Sequence, residues 1–202
     1  MYWALLGAAA HRDDITELGR QLKVAMSGGA ALPVELLKRF EAVFGVGIRE
    51  GYGLSETSPV VAFNRLDRPS RPGSIGMPVW GVELDLLGAD GQPCGPGERG
   101  ELVVRGHNVM KGYIGRAEAT GEAIDSEGWC QTGDIATRDE DNFYYIVDRA
   151  KDLIVRGGFN VYPREVEETL MTHSDISLAA VVGIPDERVG EEIKAFIITR
   201  PE

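Results

Sequence analysis

Cysteine and histidine are both scarce in this chain. The 202 residues contain two cysteines and three histidines. Cys94 and Cys130 have neither metal-site spacing nor the number needed for a disulfide framework, which suits a reducing, cytoplasmic environment. His11, His107 and His173 do not lie among carboxylates or cysteines at ligand spacing, which argues against a histidine-based metal site.

Positive charge and long apolar runs are also lacking. Lysine and arginine total 21 against 32 acidic residues, for a net charge of −11. Nucleic acids and anionic lipid surfaces are bound by clustered basic residues, so neither is an expected partner and small molecules are favoured. The apolar stretch at residues 1–10 lacks a basic leader and ends at His11, which predicts a buried helix and no integral membrane segment.

The first third of the sequence has an α/β pattern. Residues 22–27 form a predicted strand, Pro33 opens a helix that Gly45 stops, and a second strand is expected near residues 47–50. In such sheets ligands lie at the strand ends, where the glycines of the 27–29 and 51–53 segments would both be found.

From residue 82 onward the pattern changes to short β-prone runs separated by turns. Asp90 and Gly91 predict a hairpin, residues 101–105 a strand, and the acidic segment 139–142 a turn between two more strands. The charged segment 148–152 marks a boundary. Beyond it a hairpin is expected around Gly157, then a helix opened by Pro163 and strands at 177–184 and 193–199.

These patterns predict an α/β plus β fold in three parts. Residues 1–80 would form the end of a large α/β domain, residues 81–148 a small β-barrel-like subdomain, and residues 149–202 the start of an α+β C-terminal domain. Neither an internal repeat nor a low-complexity segment interrupts the chain. The sequence leaves the oligomeric state open, and a homo-oligomer is compatible with it.

Three segments carry residues suited to a nucleotide. Residues 51–57 combine an aromatic ring, glycines, a hydroxyl and a carboxylate; the alternative is a glycine-rich turn with a buried tyrosine and a solvated glutamate. Asp134 follows a glycine and suits a ribose diol, or it is ordinary turn chemistry. Arg149 suits phosphate or ribose oxygens, or it forms a surface pair with Asp148 or Asp152.

The order of these segments is more specific than any one of them. Together the chain resembles the adenylate-forming superfamily of acyl-CoA synthetases, luciferases and peptide-synthetase adenylation domains. Within it, Gly51 to Val60 and Arg71 to Gly76 are most similar to bacterial medium- and long-chain fatty-acid CoA ligases. The four motifs are Ser27-Gly-Gly-Ala-Ala-Leu32, Gly51-Tyr-Gly-Leu-Ser-Glu-Thr57, Gly128-Trp-Cys-Gln-Thr-Gly-Asp134 and Asp148-Arg-Ala-Lys-Asp-Leu-Ile154, followed by Gly157 to Glu167.

The resemblance implies roles in binding ATP and AMP. Tyr52 would stack on adenine, while Asp134 and Arg149 would hold the ribose from opposite sides of the domain boundary. Ser55 would contact the α-phosphate and Glu56 would hold Mg²⁺. The backbones that would line the adenine and acyl pockets belong to Gly28, Gly29, Ala30, Gly51 and Gly53.

The resemblance also implies a second half-reaction with coenzyme A. Lys151 falls at the family's hinge, about which the C-terminal domain rotates between two orientations. Gly157 and Gly158 would then face the pantetheine arm of coenzyme A. The implied activity is ATP-dependent conversion of a small-molecule carboxylic acid, by preference a fatty acid, to an acyl-AMP and then to an acyl-CoA.

Parts of the family pattern are missing from these residues. The glycine-, serine- and threonine-rich phosphate loop with its lysine and the family's C-terminal catalytic lysine are both absent, and Val155 stands where some relatives carry a lysine. The sequence therefore predicts a partial chain that is inactive alone. Two alternatives stay open: a non-catalytic nucleotide- or partner-binding remnant, and an aryl-acid or amino-acid adenylating enzyme.

Overall fold

The computed structural model of the chain describes residues 1–30 and 32–200. They form three four-stranded sheets and five α-helices. The helices are α1 (Tyr2–Ala9), α2 (Ile15–Gln21), α3 (Val34–Phe44), α4 (Ala117–Ala123) and α5 (Pro163–Met171). Within the described ranges, every helix is too short or too polar to cross a bilayer.

The first sheet has the strand order β1-β2-β3-β4, and its strands are β1 (Ala25–Ser27), β2 (Ile48–Gly53), β3 (Val60–Phe63) and β4 (Met77–Pro78). Strands β1 and β2 are parallel and α3 connects them, as the α/β pattern predicts. Pro33 precedes the helix and Gly45 ends it in a left-handed conformation with φ 68°, which glycine adopts without strain.

Helix α3 packs its apolar side against α1 and the first sheet. Phe40 is 1% exposed, its ring stacks on Phe44 at 4.4 Å between centroids, and Tyr2 meets it edge-on at 5.0 Å. Helix α1 is only partly buried, because Trp3 and Leu5 are 46% and 41% exposed. The prediction of a buried helix is therefore right for one face of α1 and wrong for the other.

Strand β2 extends further than the sequence indicates. Gly51, Tyr52 and Gly53 pair with β3 in antiparallel register, whereas the sequence suggested that they belong to a loop. The pairing brings the Pro59 carbonyl so close that a Cβ on Gly53 would lie 1.7 Å from its oxygen. Glycine is required there by the neighbouring strand, and strand pairing of this kind is invisible in local sequence.

The second sheet has the order β5-β6-β7-β8 and is antiparallel throughout. Its strands are β5 (Val82–Leu87), β6 (Arg99–Gly106), β7 (Cys130–Arg138) and β8 (Tyr144–Arg149). The predicted turn at 139–142 joins β7 to β8, with Asn142 at φ 63°. The barrel-like prediction is wrong in one respect: among the described residues β5 and β8 do not pair, so the sheet stays open.

The outer edge of β8 is hydrogen-bonded to the segment just before β4 instead of to β5. The Ile75 amide donates to the Tyr144 carbonyl at 2.9 Å, and the Tyr144 amide donates to the Gly76 carbonyl at 3.0 Å. The shared core below this junction combines side chains of both sheets, including Val61 and Leu102, which are fully buried. The junction fixes the first sheet against the start of β8.

The third sheet has the order β10-β9-β12-β11, and its strands are β9 (Ile154–Arg156), β10 (Phe159–Val161), β11 (Ile176–Asp186) and β12 (Gly190–Thr199). The predicted hairpin between β9 and β10 is present. Gly157 and Gly158 have φ 58° and 83°, the signs that a two-residue hairpin loop favours. Helix α5 packs on β11, and the Glu167 carboxylate accepts a hydrogen bond from the Val181 amide at 2.8 Å.

The buried aromatic cluster predicts a contrast between two positions of α3. Phe40→Ala should lower the free energy of unfolding by about 3–5 kcal/mol, because the substitution leaves a cavity under Phe44 and Tyr2. Val43→Ala, at a 40% exposed position of the same helix, should change it by only about 0.5 kcal/mol. Urea unfolding of both variants measures the difference, and equal losses would contradict this account of the core.

Candidate functional site

A cleft of about 730 Å³ opens where the ends of β2 and β8 and the middle of β7 face α5 and β11. Its volume is in the range of small-molecule sites. Eight of the residues that the sequence nominates line it: Gly29, Ala30, Gly51, Tyr52, Gly53, Asp134, Arg149 and Lys151. The α/β pattern therefore identified the ends of β1 and β2 as part of the site. The cleft residues of β7 and β8 come from a different sheet.

Asp134 is at the centre of the polar contacts in the cleft. The β7–β8 register sets it directly opposite Arg149, whose Nε lies 3.5 Å from Asp134 Oδ1. The Tyr52 hydroxyl donates a hydrogen bond to Asp134 Oδ2 across 82 residues of sequence. Arg149 thus pairs with Asp134, which neither reading of the isolated sequence motif anticipated.

Burial differs sharply within this group. The Asp134 side chain is 9% exposed and that of Arg149 is 58% exposed. Burial raises the pKa of the Tyr52 phenol well above its ordinary value, and its hydrogen bond to Asp134 raises that pKa further. The phenol is therefore a neutral donor at physiological pH, and the solvent-facing guanidinium is free to contact a second anion or hydroxyl.

Ser55 and Glu56 lie beside the cleft and do not line it. They form a single 3₁₀ turn, Ser55–Thr57, directly after the lining residue Leu54. The Glu56 carboxylate accepts a hydrogen bond from the Tyr113 hydroxyl at 2.8 Å. The turn itself is fixed by Thr57, which is fully buried and donates to the Pro59 carbonyl at 2.8 Å.

The other nominated glycines are also outside the cleft lining. Gly28 packs against β2, so that an added Cβ would lie 3.3 Å from the Gly51 carbonyl oxygen. Gly157 and Gly158 occupy the β9–β10 turn, where an added Cβ would meet no atom within 4 Å. Their identity is explained here by positive φ, and close approach of another group is not needed for it.

Lys151 lies two residues after the end of β8. It lies in the short 3₁₀ segment Ala150–Asp152, which connects the second sheet to the third and borders the cleft. Arg149, which the sequence pattern places first in the C-terminal domain, is the last residue of β8. It therefore belongs to the same sheet as Asp134.

Glu50 and Arg164 are two cleft residues that the sequence reasoning missed. Glu50 is 8% exposed, accepts a hydrogen bond from the Gly73 amide at 3.0 Å, and has a pKa raised by burial. Arg164 lines the cleft on the α5 side and donates to the Ile146 carbonyl at 2.9 Å. These contacts join segments that are distant in sequence, so local sequence patterns do not predict them. The one available signal was that Gly73, the partner of Glu50, lies in the 71–76 motif.

Protein-family models match both ends of the chain. The model described as AMP-binding enzyme matches residues 1–114, and the model described as AMP-binding enzyme C-terminal domain matches residues 165–202. The first of these covers more than half of the chain and includes the β2 end of the cleft.

Curated relatives are similar over most of this chain. A long-chain-fatty-acid–CoA ligase of Bacillus subtilis is 46% identical over 180 residues, which are 89% of this chain and 32% of the relative. A feruloyl-CoA synthase of an Amycolatopsis species is 43% identical over 178 residues, 88% of this chain and 36% of the relative. The chain spans about a third of the length of these relatives.

Solved structures share the fold. ATP-bound MatB from Rhodopseudomonas palustris superposes with a TM-score of 0.92 at 30% identity, covering 98% of this chain and 39% of that one. The anthranilate CoA ligase AuaEII in complex with anthranoyl-AMP superposes with a TM-score of 0.83 at 34% identity, covering 98% and 38%.

The environment of Tyr52 predicts a pH dependence of stability. Its folded-state pKa lies above the value near 10 of an unfolded tyrosine, so its contribution is complete below pH 10 and declines as pH rises further. Tyr52→Phe should remove this decline, which amounts to about 1.4 kcal/mol per pH unit. Urea unfolding between pH 9 and 11.5 measures both slopes, and identical slopes above pH 10 would refute the prediction.

Proposed function

This chain belongs to the AMP-binding enzyme family, and we propose that it belongs to an acyl-CoA synthetase. Such an enzyme activates a carboxylic acid with ATP and passes the acyl group to coenzyme A. The observation that carries the proposal is the set of contacts among Tyr52, Asp134 and Arg149 in a cleft of about 730 Å³. A buried carboxylate next to an exposed guanidinium at one cleft wall suits a ribose and its attached phosphate.

The proposed chemistry has two displacement steps. A carboxylate oxygen of the acid attacks the α-phosphorus of ATP, and the bond to pyrophosphate breaks. The coenzyme A thiol then loses its proton and attacks the acyl carbonyl, and AMP leaves with the electrons of the mixed-anhydride bond. The residues of this chain would bind and orient the reacting groups and keep their charges apart.

Several residues in and beside the cleft have a proposed role in nucleotide binding. Tyr52 would contact adenine with its ring, while Asp134 accepts from the ribose hydroxyls. Arg149 would donate to ribose or phosphate oxygens from its exposed position. The backbones of Gly29 and Ala30 and the β2 end would form the wall between the adenine and acyl pockets, with Gly28 supporting that wall from behind.

The Ser55–Glu56 turn fits a Mg²⁺ ion that arrives with the phosphates. It offers only oxygen ligands, and among the described residues no cluster of three or more aspartate, glutamate, histidine or cysteine side chains is suited to a metal. Mg²⁺ typically takes one or two carboxylates and fills its remaining positions with phosphate oxygens and water. Glu56 would bind the ion, which supplies positive charge beside the phosphates, and Ser55 would donate to the α-phosphate.

Residues of the third sheet would serve the second step. Lys151, between the second and third sheets, is the proposed pivot for rotation of the C-terminal part. Gly157 and Gly158 would then border the pantetheine arm. The proposed domain limits are residues 1–80, 81–148 and 149–202. A cytoplasmic location is also proposed, supported by Cys94 and Cys130, which are buried and unpaired.

Fatty acid is the proposed acid class. Support comes from the name and the 46% identity of the Bacillus subtilis relative, a long-chain-fatty-acid–CoA ligase. The second candidate is an aryl acid, which the feruloyl-CoA synthase at 43% identity and the anthranoyl-AMP complex favour. The two candidates differ in the acyl pocket and share the nucleotide contacts described above.

The role of Asp134 gives a direct binding test. Asp134→Asn should weaken AMP binding about 10- to 100-fold, because a hydrogen bond to a charged group contributes about 1.5–3 kcal/mol. Asp90→Asn is the matched control, since Asp90 lies in an exposed turn away from the cleft. Isothermal titration calorimetry with AMP measures both, and equal affinity of the two variants would remove Asp134 from the site.

The acid class and the activity of this chain can be tested together. A non-hydrolysable dodecanoyl sulfamoyl-adenosine should bind at least 10-fold more tightly than its feruloyl counterpart. The purified chain should give no acid-dependent ATP–pyrophosphate exchange, because it contains neither the phosphate loop nor the C-terminal lysine of the family pattern. Tighter feruloyl binding would favour the aryl-acid candidate, and robust exchange would refute the proposed inactivity. Absence of all adenylate binding would favour a partner-binding remnant.

A further inference from the structure

The Glu56 side chain depends on a distant loop for its orientation. The backbone of its turn is fixed by buried Thr57, but a glutamate side chain has three rotatable bonds beyond that backbone. In the part of the chain that the structure describes, one hydrogen bond reaches its carboxylate, and the donor is the Tyr113 hydroxyl at 2.8 Å. Local packing of the turn therefore does not set the orientation of the carboxylate, and the hydrogen bond from Tyr113 does.

The segment between β6 and α4 is anchored on both sides of this contact. The Met110 amide donates to the Glu56 carbonyl at 2.7 Å, which joins the segment to the turn by its backbone. The Tyr113 amide donates to Thr120 Oγ1 at 2.9 Å, and that hydroxyl donates to the Arg116 carbonyl at 2.8 Å. Tyr113 is thus held at its backbone by α4 while its hydroxyl reaches Glu56.

Close packing restricts the same segment. Gly112 has φ 143°, and an added Cβ there would lie 2.6 Å from Thr120 Cγ2. The segment therefore has little room to shift relative to Thr120. A rigid support of this kind is what a metal-binding carboxylate needs, because outer hydrogen bonds set the orientation of the ligand.

We propose that Tyr113 is a positioning residue that holds the Glu56 carboxylate for a Mg²⁺–phosphate group. This inference rests on the proposed function, specifically on Glu56 as the metal ligand. The phenol donates to Oε1, which leaves Oε2 and the remaining lone pairs of the carboxylate for the ion.

The chain offers a matched control for the hydroxyl. Tyr145 also donates its hydroxyl to a carboxylate, Asp139 Oδ2, at 3.1 Å, on the β7–β8 turn away from the cleft. Tyr113→Phe and Tyr145→Phe therefore remove the same atom and the same type of hydrogen bond. Tyr113 is 38% exposed and keeps its ring in the variant, so the fold should persist.

The experiment separates metal-dependent from metal-independent nucleotide binding, with Mn²⁺ as the probe. Proton relaxation enhancement measures the dissociation constant of Mn²⁺–ATP for the 202-residue chain, and calorimetry in EDTA measures that of metal-free ATP. The metal coupling is the dissociation constant of metal-free ATP divided by that of Mn²⁺–ATP. Tyr113→Phe should lower the coupling about 10-fold while the metal-free constant stays within about twofold of wild type. Tyr145→Phe should change neither, and Glu56→Gln should abolish the coupling.

Each other outcome has a defined meaning. A Tyr113→Phe coupling equal to that of wild type overturns the inference, and so does an equal loss of metal-free affinity, which would indicate a general structural role. If wild type shows no coupling, Glu56 is not a metal ligand and the inference falls with that assignment. Failure of the proposed function is then visible in wild type, whereas failure of the Tyr113 role alone is visible only in the variant.

Discussion

The hydrogen bond between Tyr52 and Asp134 connects the two sheets that form the cleft. Asp134 is nearly buried, and a buried carboxylate is stable only when it is paired or hydrogen-bonded. Tyr52 from the first sheet and Arg149 from the adjacent strand supply those partners. The side chains of this one link between the sheets are therefore the ones that a ribose would meet in the proposed function. A carboxylate has about four lone-pair sites, so it can accept from a ligand without releasing the tyrosine.

Contacts between α5 and the second sheet combine part-buried hydrogen bonds, such as that from Arg164 to the Ile146 carbonyl, with a more exposed ion pair. Arg99 pairs with Glu165, both of them about half exposed, and its guanidinium lies 4.3 Å from the centre of the Tyr162 ring. The Asp148 carboxylate accepts from the Arg164 amide at 3.1 Å. Exposed ion pairs contribute little free energy, about 0–1 kcal/mol each. The Arg99–Glu165 pair can therefore be broken at small cost, while the two hydrogen bonds of Arg164 to β8 would have to be replaced in any rotation about the proposed pivot at Lys151.

Sequence reasoning succeeded where the determining interaction is local. Proline before α3, glycine after it, and the turns at 139–142 and 157–158 all follow from backbone preferences of single residues. The order of motifs indicated the family, which the matched family models bear out. What failed depends on distant partners: the extension of β2 needs β3, the open edge of β8 is taken by Gly76, and the burial of Glu50 needs Gly73.

The charge of the cleft suggests how the parts of a nucleotide would be distributed. Six lining residues are acidic (Glu50, Asp134, Asp148, Asp152, Glu167 and Glu191) and three are basic (Arg149, Lys151 and Arg164). An acidic cleft suits hydroxyl and amine donors and repels a polyphosphate. The nucleoside would therefore occupy the cleft, while the phosphates would extend toward the Ser55–Glu56 turn, where a divalent cation would compensate their charge. The support that Tyr113 gives Glu56 would therefore matter most at the phosphate end of the nucleotide, and Asp134 at the ribose end.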